Sequence, residues 1–235
     1  MWTEYGQYSN LDKTDRLLGF GIPINLAMII GVPTETFIKM MILGTLTVAG
    51  LASYVAALWI GRKAWPGMGD VALVLAAVCV SVVYMFNPWS MNRIEHYFLW
   101  TGYALAPIIF IGAMKGLGDH DVKTLVLTGL LWTVGSTSVH YTLFLGILIA
   151  GAFAYHVVGR STWEQRASSL KSLSLLTLVF LVSSMYWIVP YILSILEGAG
   201  GPSSVLTVEV LDMLSFNSDP FNVIRGVGYW WPRVD

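Results

Sequence analysis

The sequence predicts an all-α, polytopic membrane protein of about six transmembrane helices, preceded by a short interfacial or re-entrant helix. Three observations predict it. Of 235 residues, 56% are hydrophobic and only 11% charged, with a mean hydropathy of +0.68, whereas soluble domains carry about 25% charged residues. The apolar residues fall in long runs without period-two alternation, so helices rather than barrel strands satisfy the backbone across a hydrocarbon core about 30 Å thick. Ten Trp and eleven Tyr supply the side chains that membrane interfaces favour.

The first apolar stretch, LLGFGIPINLAMIIGV over residues 17 to 32, is brief and interrupted by Pro23, which favours an interfacial or re-entrant helix over a seventh span. The six spans are 37 to 60, 71 to 86, 97 to 114, 124 to 140, 141 to 158 and 172 to 193, the fourth being the weakest on its own. Pro107 and Pro190 lie inside two of them, where each removes an intrahelical hydrogen bond and predicts a kink. The chain thus divides into an extracytoplasmic segment over 1–36, a transmembrane domain over 37–193 and an extracytoplasmic tail over 194–235. Residues 1 to 16 are polar and aromatic rather than a basic stretch before an apolar core, so they do not read as a signal peptide. Both ends are abrupt, which leads us to expect a fragment or one piece of a split protein, with the tail truncated.

Orientation follows from the connecting loops. Arg62, Lys63, Lys115, Lys123, Arg160, Arg166 and Lys171 fall on one side if the six spans alternate, against Arg93 alone in the short loops opposite. That bias marks the first group as cytoplasmic and both chain ends as extracytoplasmic. Asp70, Asp119, Asp121 and Glu164 then lie inside and the other ten acids outside. Trp89, Tyr97, Trp100, Tyr141, Trp187 and Tyr191 would form an outer aromatic belt; Trp59, Trp65, Tyr155 and Trp163 would form an inner one. A net charge of −1 provides no basic field for nucleic acid. The single cysteine, Cys79, cannot form an internal disulfide and is expected to be a small packing residue.

Chemistry concentrates in NPWSMNRIEHYFLW, residues 87 to 100. Pro88 suits a first helical turn and Ser90 is a candidate cap, so a helix is expected to start within this loop. On it Asn92, Glu95, His96 and Leu99 share one face, with Arg93 beside them. A polar stripe therefore enters the outer edge of the membrane, where ionisable groups are costly unless they pair or meet a ligand. One reading is structural, with Arg93 on lipid headgroups and Glu95 on Arg93 or solvent. The other is a binding site, in which the Arg93 guanidinium grips phosphate and Glu95 or His96 handles a hydroxyl proton. A second His-Tyr pair begins at His140, and this topology places His96 and His140 at outer ends of inward-running spans. In the tail, Trp230 and Trp231 either stack on a sugar ring or seal a subdomain against the membrane. Asp12 and Asp15 are the carboxylates nearest the outer surface of the first segment, or else solvated loop residues.

No zinc signature joins the four scattered histidines, and GxGxxG, GxxxxGK[ST] and GxSxG are all absent. No cofactor is predicted, and a divalent metal stays open as an assistant.

The runs GTLTVAGLASYVAALWIGRK, VVYMFNPWSMNRIEHYFLWTGYALAPIIF and SVHYTLFLGILIAG resemble, in their order of features, the multi-span region of GT-C-type membrane glycosyltransferases akin to the arabinofuranosyltransferases. The similarity covers roughly residues 17 to 231. It implies an enzyme that uses a polyprenyl-phosphate-linked sugar, with a carboxylate base in the first extracytoplasmic loop after the first transmembrane helix. This chain departs from the pattern because that first helix is missing and residues 1 to 15 correspond only to the latter part of the loop. The base is then sought among Asp12, Asp15 and Glu95, while Arg93 and Glu95 take a place in the donor or acceptor cavity. The expected function is transfer of a sugar from that donor on the extracytoplasmic side of the cytoplasmic membrane, by this chain or with a membrane subunit supplying the missing helix. The alternative is a non-catalytic integral membrane subunit of a larger complex. A solute transporter is disfavoured because the six runs carry almost no ionisable groups.

Overall fold

In a computed structural model, which describes residues 18, 21–87, 90, 100–159 and 162–196, the described residues form seven α-helices and no strand. They are α1 (Ile22–Ile29), α2 (Thr34–Ala64), α3 (Asp70–Met85), α4 (Trp100–Asp119), α5 (Val122–Gly135), α6 (Val139–Val158) and α7 (Trp163–Leu196). Residues 197–235 of the expected extracytoplasmic tail and residues 1–17, 19 and 20 of the expected first segment lie outside the described residues, while residues 194–196 continue α7.

Pro23 begins α1 rather than interrupting it, because the first turn needs no donor at that position. The helix stops at Gly31, whose φ of +80° is left-handed. There the Val32 amide donates to the Ala27 carbonyl at 2.8 Å and the Gly31 amide to that of Met28 at 3.0 Å, a Schellman closure for which glycine is suited. Pro33 follows and turns the chain into α2.

Six helices stand where six apolar runs stand, yet their ends differ from expectation. The fourth and fifth runs meet at Ser136–Ser138 rather than at residue 140. The reason is local hydroxyl chemistry. Ser136 Oγ donates to the Trp132 carbonyl at 2.8 Å as α5 ends, and Ser138 Oγ accepts from the Tyr141 amide at 3.2 Å to cap α6. Such side chains compete with helical hydrogen bonds and favour ends. At the opposite turn His120 takes a left-handed φ of 55° and Asp121 caps α5, accepting from the amides of Lys123 and Thr124 at 3.1 and 3.3 Å. The Thr124 hydroxyl bonds the same carboxylate, and these bonds hold the Asp121 carboxyl below its ordinary pKa, the hydroxyl contributing most.

Packing places α4 at the centre, against α2, α5 and α6, with α3 on α2 and α7 on α5. The interior mixes large apolar side chains, among them Ile109, Leu117, Leu145 and Leu176, with small and hydroxyl-bearing residues, while many other large aliphatics point outward. Ser53, Thr128, Thr133, Ser169 and Ser184 are buried, whereas Val71, Ile147 and Val158 are 75%, 70% and 84% exposed. Outward-facing large aliphatics and close approach of small residues at helix contacts are compatible with helices in lipid. A Cβ on Gly112 would overlap Thr128, and one on Gly116 would lie 2.8 Å from Leu125, so α4 and α5 are close-packed. Between α5 and α7, Thr133 and Ser183 hydroxyls lie 2.5 Å apart and Ser184 reaches Thr133 at 3.2 Å. Thr34–Ala64, Trp100–Asp119, Tyr141–Val158 and Trp163–Leu193 are long and apolar enough to cross a membrane; α3 and α5 are shorter apolar helices.

Candidate functional site

Asn87 and Ser90 of the NPW stretch belong to a hydrogen-bonded node between the end of α3 and the first turn of α4. An α-helix leaves its last carbonyls without partners, and an internal proline frees one more, four residues upstream. Both demands meet here. Pro107 has no amide to offer the Tyr103 carbonyl, and the Tyr84 hydroxyl donates to that oxygen at 2.8 Å. In return the Tyr103 hydroxyl donates to the Tyr84 carbonyl in the last turn of α3. The two rings stack with centroids 4.3 Å apart and planes 6° from parallel.

Asn87 closes the node. Its Nδ2 donates to the Tyr84 carbonyl at 2.8 Å and to the Tyr103 hydroxyl at 2.6 Å, and its Oδ1 accepts from the Ser90 amide at 3.0 Å. The cap in this loop is therefore Asn87, not Ser90. The buried Ser90 hydroxyl instead turns back to the carbonyls of Met85 at 2.7 Å and Asn87 at 2.9 Å. Ten residues on, Trp100 is fully buried. A Cβ at Gly102 would overlap the Gly135 carbonyl and come within 2.6 Å of the Tyr141 ring. The starts of α4 and α6 and the end of α5 thus converge beside this loop.

Asp12, Asp15, Asn92, Arg93, Glu95, His96, Trp230 and Trp231 lie outside the described residues, as does the His140 side chain. What is described is the frame around them. Tyr141, next to His140 in the chain, packs on Gly102 near the start of α4. Asn87, Tyr84 and Tyr103 carry no motif that singles them out in the sequence. The usable signal was the separation of four between Tyr103 and Pro107, which marks a carbonyl in need of an outside donor.

Other expectations are corrected. Cys79 is exposed on α3 rather than packed inside, because the inward face of that helix is taken by Leu73 and Ala77. Trp100, Tyr141 and Trp187 are core residues, not an interfacial belt. His120 and His156 are engaged structurally, His120 Nδ1 lying 2.8 Å from Ser172 Oγ and His156 Nε2 2.8 Å from the Met114 carbonyl. Among the described residues no group of three or more His, Cys, Asp and Glu is placed to hold a metal ion.

Below the node, α2, α3, α4 and α6 leave a cleft of about 500 Å³ lined almost wholly by apolar side chains. Tyr84 and Pro107 lie along one part of it, and Ile60, Trp65 and Met68 along another.

No protein-family model, curated protein or solved structure matches this chain.

Proposed function

We propose that this chain is a membrane glycosyltransferase, or part of one, that moves a sugar from a polyprenyl-phosphate donor to an acceptor on the extracytoplasmic side. In this reading α2 to α7 cross the cytoplasmic membrane, with the Asn87 end of the bundle outside. Helices α3 and α5 are only about 24 and 21 Å long at 1.5 Å per residue, and each packs on a longer neighbour, α3 on α2 and α5 on α4 and α7. The observation that carries the reading is the node itself. Tyr84, Asn87, Ser90 and Tyr103 form a hydrogen-bonded node at the chain position where the stretch carrying Asn92, Arg93, Glu95 and His96 begins.

The chemistry is direct displacement at the anomeric carbon. A carboxylate, sought among Asp12, Asp15 and Glu95, takes the acceptor hydroxyl proton. The acceptor oxygen bonds the anomeric carbon as its bond to the lipid phosphate breaks, and Arg93 steadies the departing phosphate. Asn92, His96, His140, Trp230 and Trp231 would orient the sugar.

The test is acceptor-dependent transfer from a polyprenyl-phosphate sugar in vesicles holding this chain and every co-purifying partner. Transfer lost in both Arg93→Gln and Glu95→Gln at unchanged expression supports the reading. No transfer by the wild-type assembly replaces it with the non-catalytic subunit.

A further inference from the structure

The cleft between α2, α3, α4 and α6 has a chemistry unlike that of the node. Its volume of about 500 Å³ is ample for a ligand, whose sites span roughly 300–1,000 Å³. Along α2 it runs from Ser53 to Trp65, about 18 Å at the helical rise, close to the depth of one leaflet of a hydrocarbon core about 30 Å thick. The two hydroxyls in its wall are already engaged. Ser53 Oγ turns back to the Ala49 carbonyl at 2.7 Å, and the Tyr84 hydroxyl serves the Tyr103 carbonyl. Nothing along the slot asks for a polar ligand, and the locked Tyr84 ring lies at its far end.

The near end lies among Ile60, Gly61, Trp65 and Met68. There the last turn of α2 carries Arg62 and Lys63, both exposed, with Lys63 Nζ 4.2 Å above the Trp59 ring. From residue 40 to residue 69 the chain carries Arg62 and Lys63 and no acid, so the turn that borders this end is cationic. An apolar slot one leaflet deep with a cationic mouth matches a molecule with a hydrocarbon chain and an anionic head.

We propose that this cleft binds one anionic phospholipid from the leaflet at the Trp65 end. One acyl chain lies along α2 and α3 toward Tyr84, and the phosphate sits at Arg62 and Lys63. The assignment is independent of the transfer chemistry proposed above and stands without it.

The test uses the whole 235-residue chain, delipidated in detergent, with phosphatidylglycerol and phosphatidylcholine added in turn. Native mass spectrometry reads retained lipid and a thermal scan reads stabilisation. Phosphatidylglycerol should be preferred by roughly tenfold, the expectation for a net gain of one or two cation contacts. Arg62→Gln with Lys63→Gln should erase the preference while leaving phosphatidylcholine retention unchanged, and Ala76→Phe, which fills the slot, should lower retention of both. Equal retention of the two lipids by the wild-type protein overturns the proposal. So does undiminished phosphatidylglycerol retention in a folded Ala76→Phe variant. Should that variant fail to fold, phosphatidylglycerol with a photoreactive group at the chain end decides on the wild-type protein. Labelling at α3 and α4 near Tyr84 supports the site, and labelling confined to outward faces overturns it.

Discussion

The two ends of the bundle use the same residue types in opposite ways. At the Asn87 end, Trp100, Tyr141 and Trp187 are buried, Tyr84 stacks on Tyr103, and hydroxyls and an amide satisfy backbone carbonyls. At the Trp65 end, Trp65, Tyr155 and Trp163 are exposed, and Arg62, Lys63, Lys115, Lys123, Arg166 and Lys171 all reach outward. Aromatic rings thus lock one end from within and cover the other from without. A buried ring with a satisfied hydroxyl fixes geometry, as a site requires; an exposed ring beside cations suits a membrane interface. The difference teaches where precision in this fold is concentrated.

The sharpest way to break that comparison is at Gly102. Its Cα faces the Gly135 carbonyl and the Tyr141 ring, and a backbone oxygen cannot rotate away as a side chain can. Gly102→Leu should therefore cost at least the ~1–3 kcal/mol typical of overpacking. Denaturant unfolding in detergent should show it as a large loss, far above that of Gly67→Leu at the opposite end, where a Cβ meets open space.

The next effect is smaller and more diagnostic. Tyr84→Phe leaves the Tyr103 carbonyl without the donor that replaced the proline's missing amide, which should cost about 1–2 kcal/mol. Pro107→Ala restores an amide four residues from Tyr103, so the same Tyr84→Phe change should cost much less in that background. A double-mutant cycle reads the coupling directly. Additive losses would show that the tyrosine hydroxyl and the proline are unconnected.

Within the middle of the bundle the hydroxyl contacts are weaker. Thr133→Val removes contacts to Ser183 and Ser184, but Ser183 also bonds its own helix at Val179, 2.6 Å away. The expected loss is about 0.6 kcal/mol, the average for interhelical hydrogen bonds in lipid, measurable by the same unfolding assay.

How much of this was legible in the sequence depends on range. The helices were readable because apolar runs of 16 to 24 residues without period-two alternation favour helix. The join at Ser136–Ser138 was misplaced because hydropathy does not register that hydroxyls end a helix. The aromatic belt at the Asn87 end was misread for a deeper reason. A Trp or Tyr near a helix end can face lipid or a neighbouring helix, and only tertiary packing decides, as it does where the Tyr141 ring of α6 packs on Gly102 of α4. For the same reason Cys79 was expected inside. The polar stretch was visible at once, whereas its support by Tyr84 and Tyr103 depends on two helices meeting.

The smallest effect is at the Trp65 end, where Asp121 caps α5 in full contact with solvent. Its carboxyl is held below the ordinary range by the Thr124 hydroxyl first and the amides of Lys123 and Thr124 after it. A depressed native pKa means that the unfolded chain binds the proton more tightly than the folded one, so stability from this group is present above the unfolded value of about 3.9. It is lost as the pH falls through the native value. Asp121→Ala should therefore be modestly less stable than the wild type at neutral pH, and the gap should close on acidification below about pH 4. Tyr84→Phe, whose hydroxyl does not titrate there, should show no such closing, so a pair of unfolding series at pH 7 and pH 3 separates a solvated cap from a buried lock. If both gaps close together, acid is loosening the whole bundle and the ends are not independent.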